Sequence, residues 1–207
     1  MKTSPSWFAK CLFAALTLCL ALPSQAADLL AEVRARLVLT PVTQGEFQQT
    51  RQLARIKKPL ISTGRFLVVR DAGVIWENLA PIEQTMRLTK NEILQTGDGG
   101  TLMRLSTDKE PVVGIINDIL FGVLAGEFET LARRFTYDGK VEGDTWRLGF
   151  KPRDANLARL IETLSLAGGR DIEQVEIRSA AGDVTRIEFK AQTHANEVSA
   201  EIRKRFE

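Results

Sequence analysis

Thiols and imidazoles are almost missing from this chain. Its two cysteines, Cys11 and Cys19, sit at the extreme N-terminus, and its one histidine, His194, stands near the C-terminus. If the N-terminal segment is removed, nothing is left for a disulfide, a thiolate metal site or a cysteine nucleophile. One histidine cannot assemble a multi-histidine zinc site. No nucleophile-elbow sequence surrounds a serine that it could activate. As a lone histidine in the tail, His194 is expected to be exposed. Gly97-Asp98-Gly99-Gly100 has neither the lysine nor the strand-to-helix setting of a phosphate loop, and reads as a turn. Acid pairs such as Glu127 and Glu129 are ordinary among 26 carboxylates. Their spacing in sequence says nothing of the separation that glycosidic chemistry needs. The expectation is a protein with no catalytic centre, no metal and no cofactor: not an enzyme.

The N-terminus supplies what the cysteines hint at. Lys2 and Lys10 are unaccompanied by acids, and a twelve-residue, overwhelmingly apolar stretch runs from Cys11 to Leu22. Pro23 breaks it, and Ser24-Gln25-Ala26 places small residues where a signal peptidase reads. The core is short for a stable bilayer-spanning helix, which argues against the alternative of a membrane anchor. Cys19 follows Leu18 rather than a small residue, so lipidation is not expected. The reading is a signal over residues 1–26, cleaved after Ala26, and one domain over residues 27–207, exported to the periplasm. Removing Lys2 and Lys10 from the 28 basic residues leaves 26 against 26 acidic ones. A neutral chain gives no basis for nucleic-acid binding.

Hydrophobic periodicity then divides the domain. Leu29, Leu30, Val33, Leu37 and Val38 recur at helical spacing behind Asp28, a candidate N-cap, with Pro41 beyond. Extended runs follow at residues 45–53, 61–70, 74–79, 82–88, 92–96 and 102–106, separated by proline, glycine and Lys90-Asn91 links. Strands joined so tightly are antiparallel. A helix is expected over 110–126 and a shorter one over 127–134. Strands resume at 135–137 and 145–151, with a turn at Asp138-Gly139, and a brief helical piece lies near 154–160. Further strands at 161–167, 172–179 and 184–191 precede a closing helix within 196–206.

The helix over 110–126 is the greasiest part of the domain. Val112, Ile115, Ile116, Ile119, Leu120, Val123 and Leu124 form a broad stripe, and only Asn117 and Asp118 are strongly polar. Exposing seven such side chains would cost on the order of 10–20 kcal/mol, as much as a whole domain's stability. Something must therefore cover them. Ordinary core packing is one reading. The other is a lid that exchanges core contacts for a hydrophobic ligand. Gly114 and Gly122 favour the lid, since each costs about 1 kcal/mol relative to alanine and loosens the helix or admits a close neighbour. Gly126 offers a hinge at its end.

Gly64-Arg65-Phe66-Leu67-Val68-Val69-Arg70, followed by Trp76 and Pro81, resembles the early strands of the periplasmic outer-membrane lipoprotein carriers, the LolA-like family. Phe47-Gln48-Gln49 is similar to the family's Phe-x-Gln on its first strand. The resemblance implies an α+β, mainly β fold: an incomplete antiparallel β-barrel closed by lid helices around a hydrophobic cavity. It implies carriage of an acylated lipid or lipoprotein from an inner-membrane transporter to an outer-membrane acceptor. Asp71 replaces the family's usual proline, and the lid has no other close match. Both departures fit relatives that export other acylated or polyene-type lipids. On this reading Phe47, Phe66, Val68, Val74 and Trp76 line the cavity floor, or else form plain core. Ile115, Ile116, Ile119 and Val123 are the lid, and Arg70 matches the arginine that ties lid to barrel; an exposed strand-end arginine is the alternative. A monomer is expected. A periplasmic regulatory or assembly module, binding a protein or lipoprotein without transporting it, is the competing function.

Overall fold

Links of two to seven residues leave most successive strands only one way to pair, because a parallel pair needs a crossover of about a dozen residues. The computed structural model describes residues 25–109 and 111–207; of residues 25–28, 111–113, 116 and 117 it gives the backbone alone. The expected signal segment lies almost wholly outside the described residues.

Helix α1 (Gln25–Arg36) leads into β1 (Val42–Gln52), β2 (Leu60–Val69), β3 (Gly73–Ala80), β4 (Gln84–Thr89), β5 (Glu92–Gly97) and β6 (Gly100–Ser106). Helices α2 (Pro111–Leu124) and α3 (Phe128–Arg134) interrupt the strands. Then come β7 (Phe135–Glu142), β8 (Thr145–Pro152), a short α4 (Ala155–Ala158), β9 (Ile161–Gly168), β10 (Ile172–Ser179), β11 (Val184–Ala195) and α5 (Ala200–Lys204). The strands form one eleven-stranded antiparallel sheet in the order β6-β5-β4-β3-β2-β1-β11-β10-β9-β8-β7. The sheet has two free edges, β6 and β7, and the α2–α3 segment connects them in sequence. This is the expected mainly β, incomplete barrel with helices.

Two details differ from the sequence reading. Helix α1 already begins at Gln25, so Asp28 lies inside its first turn rather than capping it. Asp138 and Gly139 lie within β7, paired with Gly149 and Leu148, and the turn comes at Gly143-Asp144. A Cβ on Gly139 would lie 2.2 Å from the Arg147 carbonyl oxygen, so this glycine permits close strand approach. Gly143, at φ +59°, makes the reversal.

Strand alternation sets the core. On β8, Trp146, Leu148 and Phe150 face inward and are buried while Thr145, Arg147 and Lys151 are exposed. On β2 both faces are buried: Phe66 and Val68 join the main core, Leu67 and Val69 a second cluster with Val42 and Ile75. The C-terminal tail covers that second cluster with Val198, Ile202 and Phe206. Ser199 caps α5 by accepting a hydrogen bond from the Ile202 N–H at 3.2 Å. Arg205 pairs with Glu77 on β3.

Strand links fall on two rims. The first rim carries the β1–β2 loop, the β3–β4, β5–β6 and β10–β11 turns and the β8–β9 connection. The second carries the β2–β3, β4–β5, β7–β8 and β9–β10 turns.

Candidate functional site

The concave face is built around aromatic rings brought together from four strands. Phe47 on β1 lies opposite Gly64 on β2 and Phe189 on β11, and Phe66 lies opposite Trp76. Phe47 stacks on Trp76 with ring centroids 3.8 Å apart and planes 25° from parallel. Phe189 meets Phe66 and Trp76 edge-on, at 5.0 and 6.0 Å. Glycine makes this possible: a Cβ on Gly64 would sit 2.8 Å from the Phe47 ring and 1.8 Å from the Glu77 carbonyl oxygen. Val68 and Val74 complete the floor and are buried. The five expected floor residues thus share one surface. Phe189 joins them from a strand distant in sequence, linked to Phe47 only by the β1–β11 pairing.

Above this floor lies α2. Ile119 and Val123 are buried, Ile115 is half-buried, and all three belong to the same apolar cluster as the floor. The side chain of Ile116 lies outside the described residues. Phe121, an aromatic outside the aliphatic stripe, is also buried there. Among the described residues, helix α2 leans chiefly on α3, with no comparable approach to any strand. At their contact a Cβ on Gly122 would lie 2.6 Å from Leu131 Cγ, so this glycine serves close helix packing. Gly114 has open space around it. Gly126, at φ +67°, is the left-handed link between the helices.

Three polar contacts fix these parts, none of them visible in sequence. Arg134 donates from Nε and Nη2 to one Asp118 carboxylate oxygen, at 2.8 and 2.6 Å, joining α3 to α2. Arg34 on α1 donates to Glu129 on α3 at 3.0 Å. His194 is not an exposed tail residue but a partly buried member of β11. Its Nδ1 lies 3.3 and 3.2 Å from the Thr40 and Thr43 hydroxyls. Its Nε2 lies 2.8 Å from an Asp171 carboxylate oxygen without hydrogen-bond alignment.

Arg70, just past the end of β2, stands between two clefts on the second rim. One is bounded by Leu37–Thr40, Val68, the Leu124–Gly126 link and His194. The other is bounded by Asp71, Lys90 and the α2 residues Gly114, Asp118 and Phe121. Arg70 is half-buried, and its backbone N–H donates to the Pro41 carbonyl at 3.0 Å. Among the described residues no side-chain cluster could hold a metal ion, and no helix is long and apolar enough to cross a membrane. What the arrangement offers is apolar surface under a helix, with polar groups only at its edge.

Several solved structures are similar at low identity. A LolA superfamily protein of Nitrosomonas europaea is 10% identical, with 86% of this chain and 96% of that one aligned at a TM-score of 0.45. The MucA/MucB complex of Pseudomonas aeruginosa matches at 15% identity and a TM-score of 0.48, over 86% of this chain and 60% of that one. A DUF1329 family protein of Desulfovibrio piger matches at 9% identity and a TM-score of 0.48, over 88% and 98%. A search among curated proteins gives no match. The family model described as outer membrane lipoprotein carrier protein LolA-like matches residues 21–205, and the chain belongs to this LolA-like family.

Proposed function

We propose that this protein is a periplasmic, monomeric carrier. It holds the acyl part of a lipid or lipoprotein between the aromatic floor and helix α2, and passes it from an inner-membrane donor toward an outer-membrane acceptor. The observation that carries this reading is α2 itself: an apolar helix in the same cluster as the aromatic floor and, among the described residues, fastened mainly to α3. Phe47, Phe66, Val68, Val74 and Trp76 form the floor against which an acyl chain lies. Ile115, Ile116, Ile119 and Val123 are the lid side chains that it displaces. Each methylene taken out of water contributes roughly 0.8 kcal/mol, so a long chain is held firmly. Release demands an empty state of nearly equal stability, and the floor and lid residues supply it by packing on one another. Arg70, between the two clefts, is the latch whose contacts change as α2 lifts.

The test is native mass spectrometry of the exported protein, purified from periplasm without detergent, with lipid analysis of any adduct. The expected result is a one-to-one adduct with an acylated molecule, and loss of fluorescent acyl-probe uptake in Trp76→Ala. An unliganded mass together with failed probe uptake would overturn the carrier and leave a partner-binding module. Unchanged binding and release in Arg70→Ala would remove the latch.

A further inference from the structure

The large apolar side chains that stand exposed among the described residues are not scattered. Ile56, Leu60 and Ile61 lie in or beside the β1–β2 loop, and Leu79 and Ile82 flank the β3–β4 turn. Leu102 and Met103 follow the β5–β6 turn, and Leu160 closes the β8–β9 connection. Every one is on the first rim, away from the clefts beside α2. Ile82 is 65% exposed and Leu60 and Ile61 are each 53% exposed, too open to belong to any core. Single exposed apolar residues need no explanation, but their gathering on one rim does.

Charge on the same rim says what would cover it. The β1–β2 loop and its flanks, from Arg51 to Ile61, contain no acid and carry Arg51, Arg55, Lys57 and Lys58. The stretch Arg55-Ile56-Lys57-Lys58-Pro59-Leu60-Ile61 interleaves cations with apolar residues along the β1–β2 loop and the start of β2. Arg55, Lys57 and Lys58 are exposed and form no ion pair among the described residues. The loop is braced: Gln52 donates from Nε2 to the Leu53 and Ile56 carbonyls, and the Ala54 N–H donates to Asp183 at 3.0 Å. Of the acids in the rim's links, Asp183 lies beside Arg51 at 3.9 Å, Asp154 caps α4, and Glu83 and Asp98 sit in the β3–β4 and β5–β6 turns. A protein partner of mixed charge would need no such segregation. A surface that is apolar beneath and negative above needs both features at once.

We propose that this rim docks on a bilayer carrying anionic phospholipid. Arg55, Lys57 and Lys58 would lie at the headgroups, and Ile56, Leu60 and Ile82 would enter the acyl boundary. The contact is peripheral and reversible. It presents the half-barrel to a membrane by the rim opposite the clefts that flank α2. It stands apart from the carrier reading, because vesicle binding and acyl-probe uptake are separate measurements.

The test is co-sedimentation of the purified protein with phosphatidylcholine vesicles, with and without phosphatidylglycerol, at low and high salt. Binding is expected only to the anionic vesicles and to weaken with salt. Each cation near such a surface changes partitioning about fivefold, so Lys57→Gln with Lys58→Gln should weaken binding about twenty-five-fold at low salt. Ile56→Ser with Ile82→Ser, at exposed sites that leave the core intact, should also reduce it. Equal binding to both vesicle types, no binding to either, or variants that bind like the parent would overturn the proposal. So would concentration-dependent self-association abolished by the same substitutions, which would assign the rim to a second copy of the chain.

Discussion

The two wings of the sheet fill their concave faces differently. In β7–β10 with α3, Trp146, Leu148, Phe150, Leu164, Leu166, Phe128 and Leu131 are each at most 2% exposed. The Trp146 indole N–H is also satisfied, donating to the Gly169 carbonyl at 2.8 Å. In β3–β6 under α2, Val74, Leu88 and Ile93 are buried, but Trp76, Met86, Leu105, Ile115 and Leu120 are only half-buried. One fold therefore contains a wing with many fully buried side chains, beside the half-buried Tyr137, Val141, Ile161 and Ile177, and a wing with few. Tight packing leaves no room for a guest; half-buried side chains lose less when a guest replaces their neighbours.

Truncation would sharpen or break that contrast most strongly. Phe150→Ala should cost about 3–5 kcal/mol, read as a lowered urea midpoint. Met86→Ala in the other wing should cost about 1 kcal/mol, because less surface is withdrawn from water there. Equal losses would mean that both wings are equally solid. Next come the α2 glycines. Gly122→Ala drives a methyl into Leu131 and should destabilise by about 1–2 kcal/mol even after its gain in helix propensity. Gly114→Ala meets open space and should stabilise by up to about 1 kcal/mol in thermal unfolding. Smaller still is the Arg134–Asp118 tie, both of whose side chains are about a third exposed. A double-mutant cycle should give a coupling of about 0.5–1 kcal/mol, with faster amide exchange in α2 when the tie is cut. The least effect belongs to Lys140→Gln on β7. The Lys140 ammonium donates to Glu142 at 2.7 Å and, by that bond and then by its charge, holds the carboxyl below its usual range. A lowered folded-state pKa stabilises above the unfolded value and is lost as pH falls through the folded one. Glu142 is fully exposed, so its titration should move up in NMR while the melting temperature stays unchanged.

Much of this architecture was legible because its pairings are local. The order of strands and helices, the proline at the head of α2, the Gly126 link and the apolar residues of the tail follow from spacing and turn chemistry, while β1, β7 and β11 each extend beyond their expected bounds. Asp138-Gly139 misled because glycine serves two purposes, and sequence does not say whether a reversal or a close strand neighbour requires it. His194 was misplaced because Thr40, Thr43 and Asp171 come from other parts of the chain. The floor residues Phe47, Phe66 and Trp76 were visible as a pattern, but Phe189 was not grouped with them. Its place depends on the register between the first strand and the last. The Arg134–Asp118 and Arg34–Glu129 ties depend on how the helices fold over, which no periodicity encodes.

That same register has a kinetic consequence. Every neighbouring pair in the sheet is consecutive in sequence except β1 and β11. Strands β1–β6 and β7–β11 can therefore each zip up through short-range hairpins, which cost little loop entropy. The single seam, where Val42 meets Ala195 and Gln52 meets Val184, must wait for the last strand of the chain. Until it closes, the unpaired edges of β1 and β11 are open to intermolecular pairing and the rings of Phe47 and Phe189 are apart. Phe189 is thus the last ring to join the apolar floor, and a chain stalled at this step is the form most exposed to aggregation.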